Sequence, residues 1–243
     1  MNAFHGAIVF LNDPFNWTRP GGIVDLLLEH LAISAIAVLA AMVVALPVGI
    51  GLGTTGRGAG AIVVFSNVSR AVPTLALLTV FAVTPIGFGD PATTIALAVF
   101  AIPPILTNTF VGFRGVDPDV QEAARAMGMG RGQVIGRVDL PLALPLVLTG
   151  IRTATVQVVA TAGLAALVGG GGLGVIISLG FGQQNYGEMI AGAVLVAGLA
   201  LLTEGVLVVL TRVLTPGPRR LRTPFRRETA AGVPEPTAAG IPL

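Results

Sequence analysis

Residues 31–52 form an apolar run without one charged side chain. A helix rises 1.5 Å per residue, so roughly 20 apolar residues cross the hydrocarbon core of a bilayer. Four more candidate spans follow: residues 59–84, interrupted by Arg70 and Pro73; 92–113, containing Pro103 and Pro104; 142–168, containing Pro145 and Arg152; and 188–213, containing Glu204. Prolines are tolerated within a span because neighbouring helices and hydroxyls satisfy the carbonyls they free. The expected fold class is therefore an all-α polytopic membrane protein with about five transmembrane helices. Composition agrees: 53% of residues are hydrophobic and 11% charged, and mean hydropathy is +0.87. A soluble domain averages about 25% charged residues. An ordinary cytosolic enzyme, a disordered protein and a nucleic-acid binder are excluded on that ground. Residues 1–11 have no basic stretch and too short an apolar run, so no signal peptide is expected.

Five spans put the termini on opposite sides, and the arginines say which is which. Arg57, Arg114, Arg125, Arg131, Arg137, Arg212, Arg219, Arg220, Arg222, Arg226 and Arg227 fall on one side. The other side has Arg19 alone, beside Asp13, Asp25, Glu29 and Asp90. The positive-inside rule then places segment 1–30 outside the cell membrane and the C-terminus in the cytoplasm. Residues 31–213 are the expected membrane domain. The tail 214–243, rich in Pro, Ala, Gly and Arg, reads as a disordered cytoplasmic extension. Its arginines either touch anionic membrane lipid or serve only to stop transfer.

The cytoplasmic loop 114–141 is the most informative part. Asp117 is a good N-cap and Pro118 suits the first helical position. Asp119 and Glu122 put negative charge where the helix dipole favours it. Gly128 is a natural residue just past the helix end. A second short helix is expected over about 130–139, with Pro141 limiting its extension. The first helix is too short to be stable alone in water. Its small residues Ala123, Ala124 and Ala126 would let another surface approach closely. The loop is thus either a docking element or a connector lying on the bilayer, with Met127, Met129, Val134 and Ile135 toward lipid.

The residues Glu122-Ala123-Ala124, Gly128 and Val138-Asp139-Leu140-Pro141 resemble the EAA loop of ABC importer permeases. All the spacings of that pattern are met, with Val138 where isoleucine is commoner. The strings SRAVPTLALL (69–78), IPPILTNT (102–109), GIRTA (150–154) and VGGGGLG (168–174) are similar to permeases of the osmoprotectant branch. That branch imports glycine betaine, choline, carnitine or related solutes such as proline. Methionine-importer permeases are a more distant likeness with the same five-span plan. The resemblance implies a methionine-importer-permease-like fold. It implies that Glu122, Ala123, Ala124, Gly128, Val138, Leu140 and Pro141 couple to a separate ABC ATPase subunit. ATP and magnesium would sit on that partner, and this chain would bind no cofactor. A second permease, a copy or a paralogue, would complete the pathway, and an extracytoplasmic solute-binding protein would deliver solute.

Several polar residues interrupt the spans. Arg70 and Arg152 lie about ten residues in, roughly 15 Å deep at 1.5 Å per residue. Each faces a pathway or gate, or snorkels to the interface from a span that starts later. Glu204 could pair with either. Gly170 and Gly171, in the run 169–172, make a gating hinge, a re-entrant turn or simply a flexible turn. Asn108 and Gln157 line the pathway or bond between helices. No catalytic residues and no metal site are expected, since no His, Cys or paired carboxylate lies within the expected spans. The chain has no lysine, hence no Walker A loop, and cannot itself be the ATPase. With only Trp17 and Tyr186 beside its phenylalanines, it is poor in material for an aromatic cage. Selectivity is therefore expected in the binding protein. Two rival functions remain: a permease for methionine or another amino acid, and a secondary transporter independent of an ATPase, for which Glu204 is the only deep carboxylate.

Overall fold

The computed structural model describes residues 2–215, apart from the side chain of Arg70. The tail 216–243, with its arginine cluster, lies outside the described residues. All regular elements of the described residues are helical. Two short helices, α1 (Ala3–Asn12) and α2 (Pro14–Thr18), precede α3 (Ile23–Thr55). The pair α4 (Ala59–Ala71) and α5 (Thr74–Ala82) leads to α6 (Asp90–Arg114). Then come α7 (Pro118–Ala126), α8 (Arg131–Val134), a π-helical turn (Ile135–Asp139) and α9 (Leu140–Ala162). A 3-10 turn (Gly163–Val168), α10 (Gly174–Gly182) and α11 (Tyr186–Leu214) complete the chain. Four helical segments are long and apolar enough to cross a membrane, Ile23–Thr55, Asp90–Arg114, Arg131–Val168 and Tyr186–Leu214. The α4–α5 pair makes a fifth if counted as one span.

In lipid, burying apolar side chains against each other gains little, so helices associate where small residues let backbones meet. The helix α3 carries such a stripe. Ala37, Ala41, Ala45, Gly49 and Gly53 recur every four residues, and all are buried. They face α6. A Cβ on Gly49 would stand 2.8 Å from Cβ of Thr109, and one on Gly53 would stand 2.7 Å from Cβ of Phe113. The other flank of α6 meets α9 at Gly150, where a Cβ would lie 2.7 Å from Cβ of Asn108. Ala37, Ala41, Leu97, Ala101, Ile105, Ala154 and Val158 fill the resulting three-helix core. The large apolar residues Ile36, Leu39 and Val43 on α3, and Leu201, Val206 and Val213 on α11, point outward. That distribution suits lipid and would be untenable in water.

Three differences from the sequence reading have local causes. First, α3 begins at Ile23 rather than at residue 31. Gly22 is its N-cap, and Asp25 in the first turn accepts the Gly21 N–H at 2.8 Å. Second, the expected second span is bent by 85° between Ser69 and Thr74. Pro73 has no N–H, and it forces Val72 into an extended conformation (ψ 120°). Third, Pro141 does not end a helix. The π turn lets the Leu140 N–H bond to the carbonyl of Ile135, five residues back, and Pro141 enters as an early residue of α9, where no intrahelical donor is needed.

The seam predicts its own test. Gly49→Ala or Gly53→Ala should lower stability by about 1–3 kcal/mol, the usual range for overpacking. Gly51→Ala, which meets nothing within 4 Å, should be neutral or stabilising. Thermal unfolding of the purified protein in detergent checks this. Equal behaviour of the three variants would mean the α3–α6 approach is not close.

Candidate functional site

The loop between α6 and α9 is built as its sequence requires. Asp117 caps α7, its carboxylate accepting the Asp119 N–H at 2.9 Å. Gly128, at φ +85°, closes the helix. Its N–H bonds to the carbonyl of Arg125 and that of Met129 to Ala124, an ending that needs a left-handed residue. Of the coupling residues read from sequence, Glu122 and Ala123 are exposed and Ala124 is buried against its own chain. Gly128, Leu140 and Pro141 are exposed, and Val138 is half-buried. Met127 is 77% exposed whereas Val134 is 2% exposed. A connector with both Met127 and Val134 in lipid is therefore not what the chain builds.

A residue pair that sequence reasoning missed holds the loop together. Gln121 Nε2 donates to Asp139 Oδ1 at 3.0 Å, and Asp139 is 3% exposed. Asp139 ends the π turn, so the bond ties α7 to the register-shifted start of α9. Thr54, at the end of α3, lines the small space beside this pair together with Arg125 and Arg131. The acid stood inside the Val138–Pro141 pattern, at its variable position.

At the other end of α6 the glycine run is a pinned turn. Four consecutive backbone N–H groups each have a partner. Gly170 donates to the Ala165 carbonyl at 2.9 Å and Gly171 to Asp90 Oδ1 at 2.9 Å. Gly172 donates to Glu29 Oε2 at 2.8 Å and Leu173 to His30 Nδ1 at 3.3 Å. With Nδ1 accepting, the imidazole proton sits on Nε2, which donates to the Val159 carbonyl at 2.9 Å. A Cβ on Gly171 would fall 2.1 Å from the Glu29 carboxylate, which would have to turn away and give up the Gly172 N–H. The two carboxylates also lie where the dipole of α10 favours negative charge. Gly170 and Gly171 are thus in a fastened turn rather than a slack one. Glu29, His30 and Asp90 were missed because they fall just outside the expected spans 31–52 and 92–113.

Between these ends, α4, α6 and α9 enclose a cavity of about 220 Å³. Ser66, Ser69, Thr107, Asn108, Thr153 and Gln157 supply polar groups to its wall, and Phe100, Pro103 and Pro104 complete it. Asn108 and Gln157 are here brought together; Asn108 donates one amide hydrogen to the Pro104 carbonyl at 2.8 Å. The backbone of Arg70 continues α4 just beyond Ser69, and its side chain lies outside the described residues. Arg152 does not line the cavity. Its Nε pairs with Glu204 Oε1 on α11 at 3.4 Å, with both side chains about one-third exposed. Glu204 had two possible partners by sequence, and among the described side chains Arg152 lies beside it.

Bent and unbroken spanning helices around a polar cavity, with a braced two-helix loop at one end, are the frame of a membrane permease. The pattern of the binding-protein-dependent transport system inner membrane component family matches residues 37–219. The chain belongs to that family, and it is a multi-pass permease subunit of the ABC-importer type. Over 188 residues it is 39% identical to the glycine betaine/carnitine/choline transport system permease protein OpuCB of Bacillus subtilis (strain 168), covering 77% of this chain and 86% of that protein. Over 209 residues it is 38% identical to the choline transport system permease protein OpuBB of the same organism, covering 86% and 96%. Its fold is similar to an inward-facing conformation of the MetNI methionine ABC transporter, with TM-score 0.70 and 26% identity over 84% of this chain and 99% of that one.

Two predictions follow from the geometry. Arg152→Glu and Glu204→Arg should each reduce transport, and the exchanged double variant should recover part of it; an exchange no better than the singles would count against pairing. For the loop, Asp139→Leu should uncouple ATP hydrolysis from uptake while Asp139→Asn, which keeps the acceptor for Gln121, should stay near wild type. Measuring hydrolysis and uptake together separates coupling from folding, and failure of both variants alike would remove the brace from the account.

Proposed function

We propose that this chain forms half of the translocation pathway of an ATP-driven importer for osmoprotectants such as glycine betaine, choline, carnitine or proline. The observation that carries the reading is the α7 surface. Glu122 and Ala123 are exposed on a helix too short to stand alone, which Ala124 and the Gln121–Asp139 bond hold to its own chain. Such a face is made to be gripped. The partner that grips it is an ABC ATPase subunit, which holds ATP and magnesium. Its closure moves residues 122–141 and alternates access to the cavity. The arginine distribution supports a cytoplasmic loop and C-terminus and an N-terminus outside. The pinned glycine turn then faces the exterior, where a solute-binding protein delivers its cargo. A second permease, identical or paralogous, supplies the other half of the path. The names of the relatives support the osmoprotectant class.

Reconstitution into proteoliposomes with the cognate ATPase, second permease and binding protein tests this. ATP-dependent glycine betaine or choline uptake is expected, and Glu122→Ala should cut it at least about tenfold without changing the binding protein's affinity. Uptake of methionine or another amino acid instead would replace the substrate assignment. Uptake that persists without the ATPase would make the chain a secondary transporter.

A further inference from the structure

The cavity between α4, α6 and α9 has two chemically different kinds of polar group. Pro104 lacks an N–H group, so the carbonyl of Phe100 loses its α-helical donor. Two of the hydroxyls nearby are already committed as donors. Ser69 donates to the Ser66 carbonyl at 3.0 Å, and Thr153 to the Thr149 carbonyl at 2.9 Å. Their oxygens therefore present lone pairs, not protons, to a guest. Phe100 stands on the same wall. Acceptor oxygens and an aromatic face together attract a cation that has no proton to donate. Ser66 and Thr107 bond to each other, Oγ to Oγ1 at 2.5 Å, so one proton of that pair stays free, and the other donors that remain are amides. Asn108 keeps its second amide hydrogen after bonding Pro104, and Gln157 brings an amide of its own. Amide hydrogens suit a carboxylate.

We infer that this cavity is a solute subsite within the permease itself. It takes small solutes with a quaternary ammonium head at Phe100, Ser69 and Thr153, and it takes a carboxylate, where present, at Asn108 and Gln157. A volume of about 220 Å³ is below the ~300 Å³ at which drug-sized pockets begin, which matches a solute of few heavy atoms. The inference rests on the proposed osmoprotectant function and adds a second filter behind the binding protein.

The test uses the full permease–ATPase complex in nanodiscs, without the binding protein. Equilibrium binding is measured for glycine betaine, for choline, which lacks the carboxylate, and for 3,3-dimethylbutyrate, which lacks the cationic head. Phe100→Leu should weaken glycine betaine and choline about fivefold and leave 3,3-dimethylbutyrate unchanged, while Phe100→Tyr keeps binding. Gln157→Leu should weaken glycine betaine by a similar factor and leave choline within about twofold. Leu201→Ala, on the outward face of α11, serves as the folding control. Equal weakening of all three ligands by Phe100→Leu would overturn the inference. So would absent saturable binding in a complex that imports glycine betaine once its binding protein is added, and in that case the proposed function stands. A complex that neither binds nor imports any quaternary ammonium solute would overturn both.

Discussion

The close approach of α3 to α6 is the constraint on which the rest of the molecule depends. Lipid gives apolar side chains no reason to leave it. Attraction between the helices must therefore come from backbone proximity and the many weak contacts it allows. Ala37, Ala41, Ala45, Gly49 and Gly53 provide that proximity along α3, and Gly150 repeats it between α9 and α6. Held on both flanks, α6 becomes the fixed axis of the bundle. Ile36, Leu39 and Val43 on α3 are then free to face lipid without weakening the core.

Each functional region takes its position from that axis. Asp90, at the start of α6, fastens the glycine turn. Phe100 to Asn108, in its middle, wall the cavity. Arg114, at its end, leads into the braced loop. At 1.5 Å per residue its 25 residues span about 37 Å, enough to connect one side of a bilayer to the other. The glycine turn and the loop lie at opposite ends because they hang on opposite ends of one helix.

How much of this was legible in the sequence follows from the physics of each signal. Spans 92–113 and 188–213 could be read because a membrane segment is a matter of length and hydropathy, and the structure puts Asp90–Arg114 and Tyr186–Leu214 there. The loop could be read because capping is local: Asp117, Pro118 and Gly128 act on their immediate neighbours. Glu29, His30 and Asp90 could not, because their partners lie far along the chain, 143 residues away for Glu29 and Gly172. Their polar side chains alone pointed to water. The π turn at Ile135–Asp139 was hidden for a related reason. Proline rules speak of ending a helix, and the register shift that absorbs Pro141 has no signature of its own. The small stripe on α3 was visible as alanines and glycines, but which of them met α6 was a question of tertiary packing.

Where the molecule can move follows from what is fastened. An intact helix in lipid cannot stretch, because each broken backbone bond would cost several kcal/mol without water to replace it. Displacement at the loop must pass along α6 and α9 as tilt or sliding of whole helices. The glycine turn resists from the far end, because Gly171, Gly172 and Leu173 are tied to two different helices, α3 and α6. The α4–α5 pair is differently placed. Its 85° bend is already a break in the backbone ladder, and α4 forms one wall of the cavity through Ser66 and Ser69. The braced loop and the pinned turn thus hold the frame, and the broken span is a wall of the cavity that no continuous helical ladder stiffens.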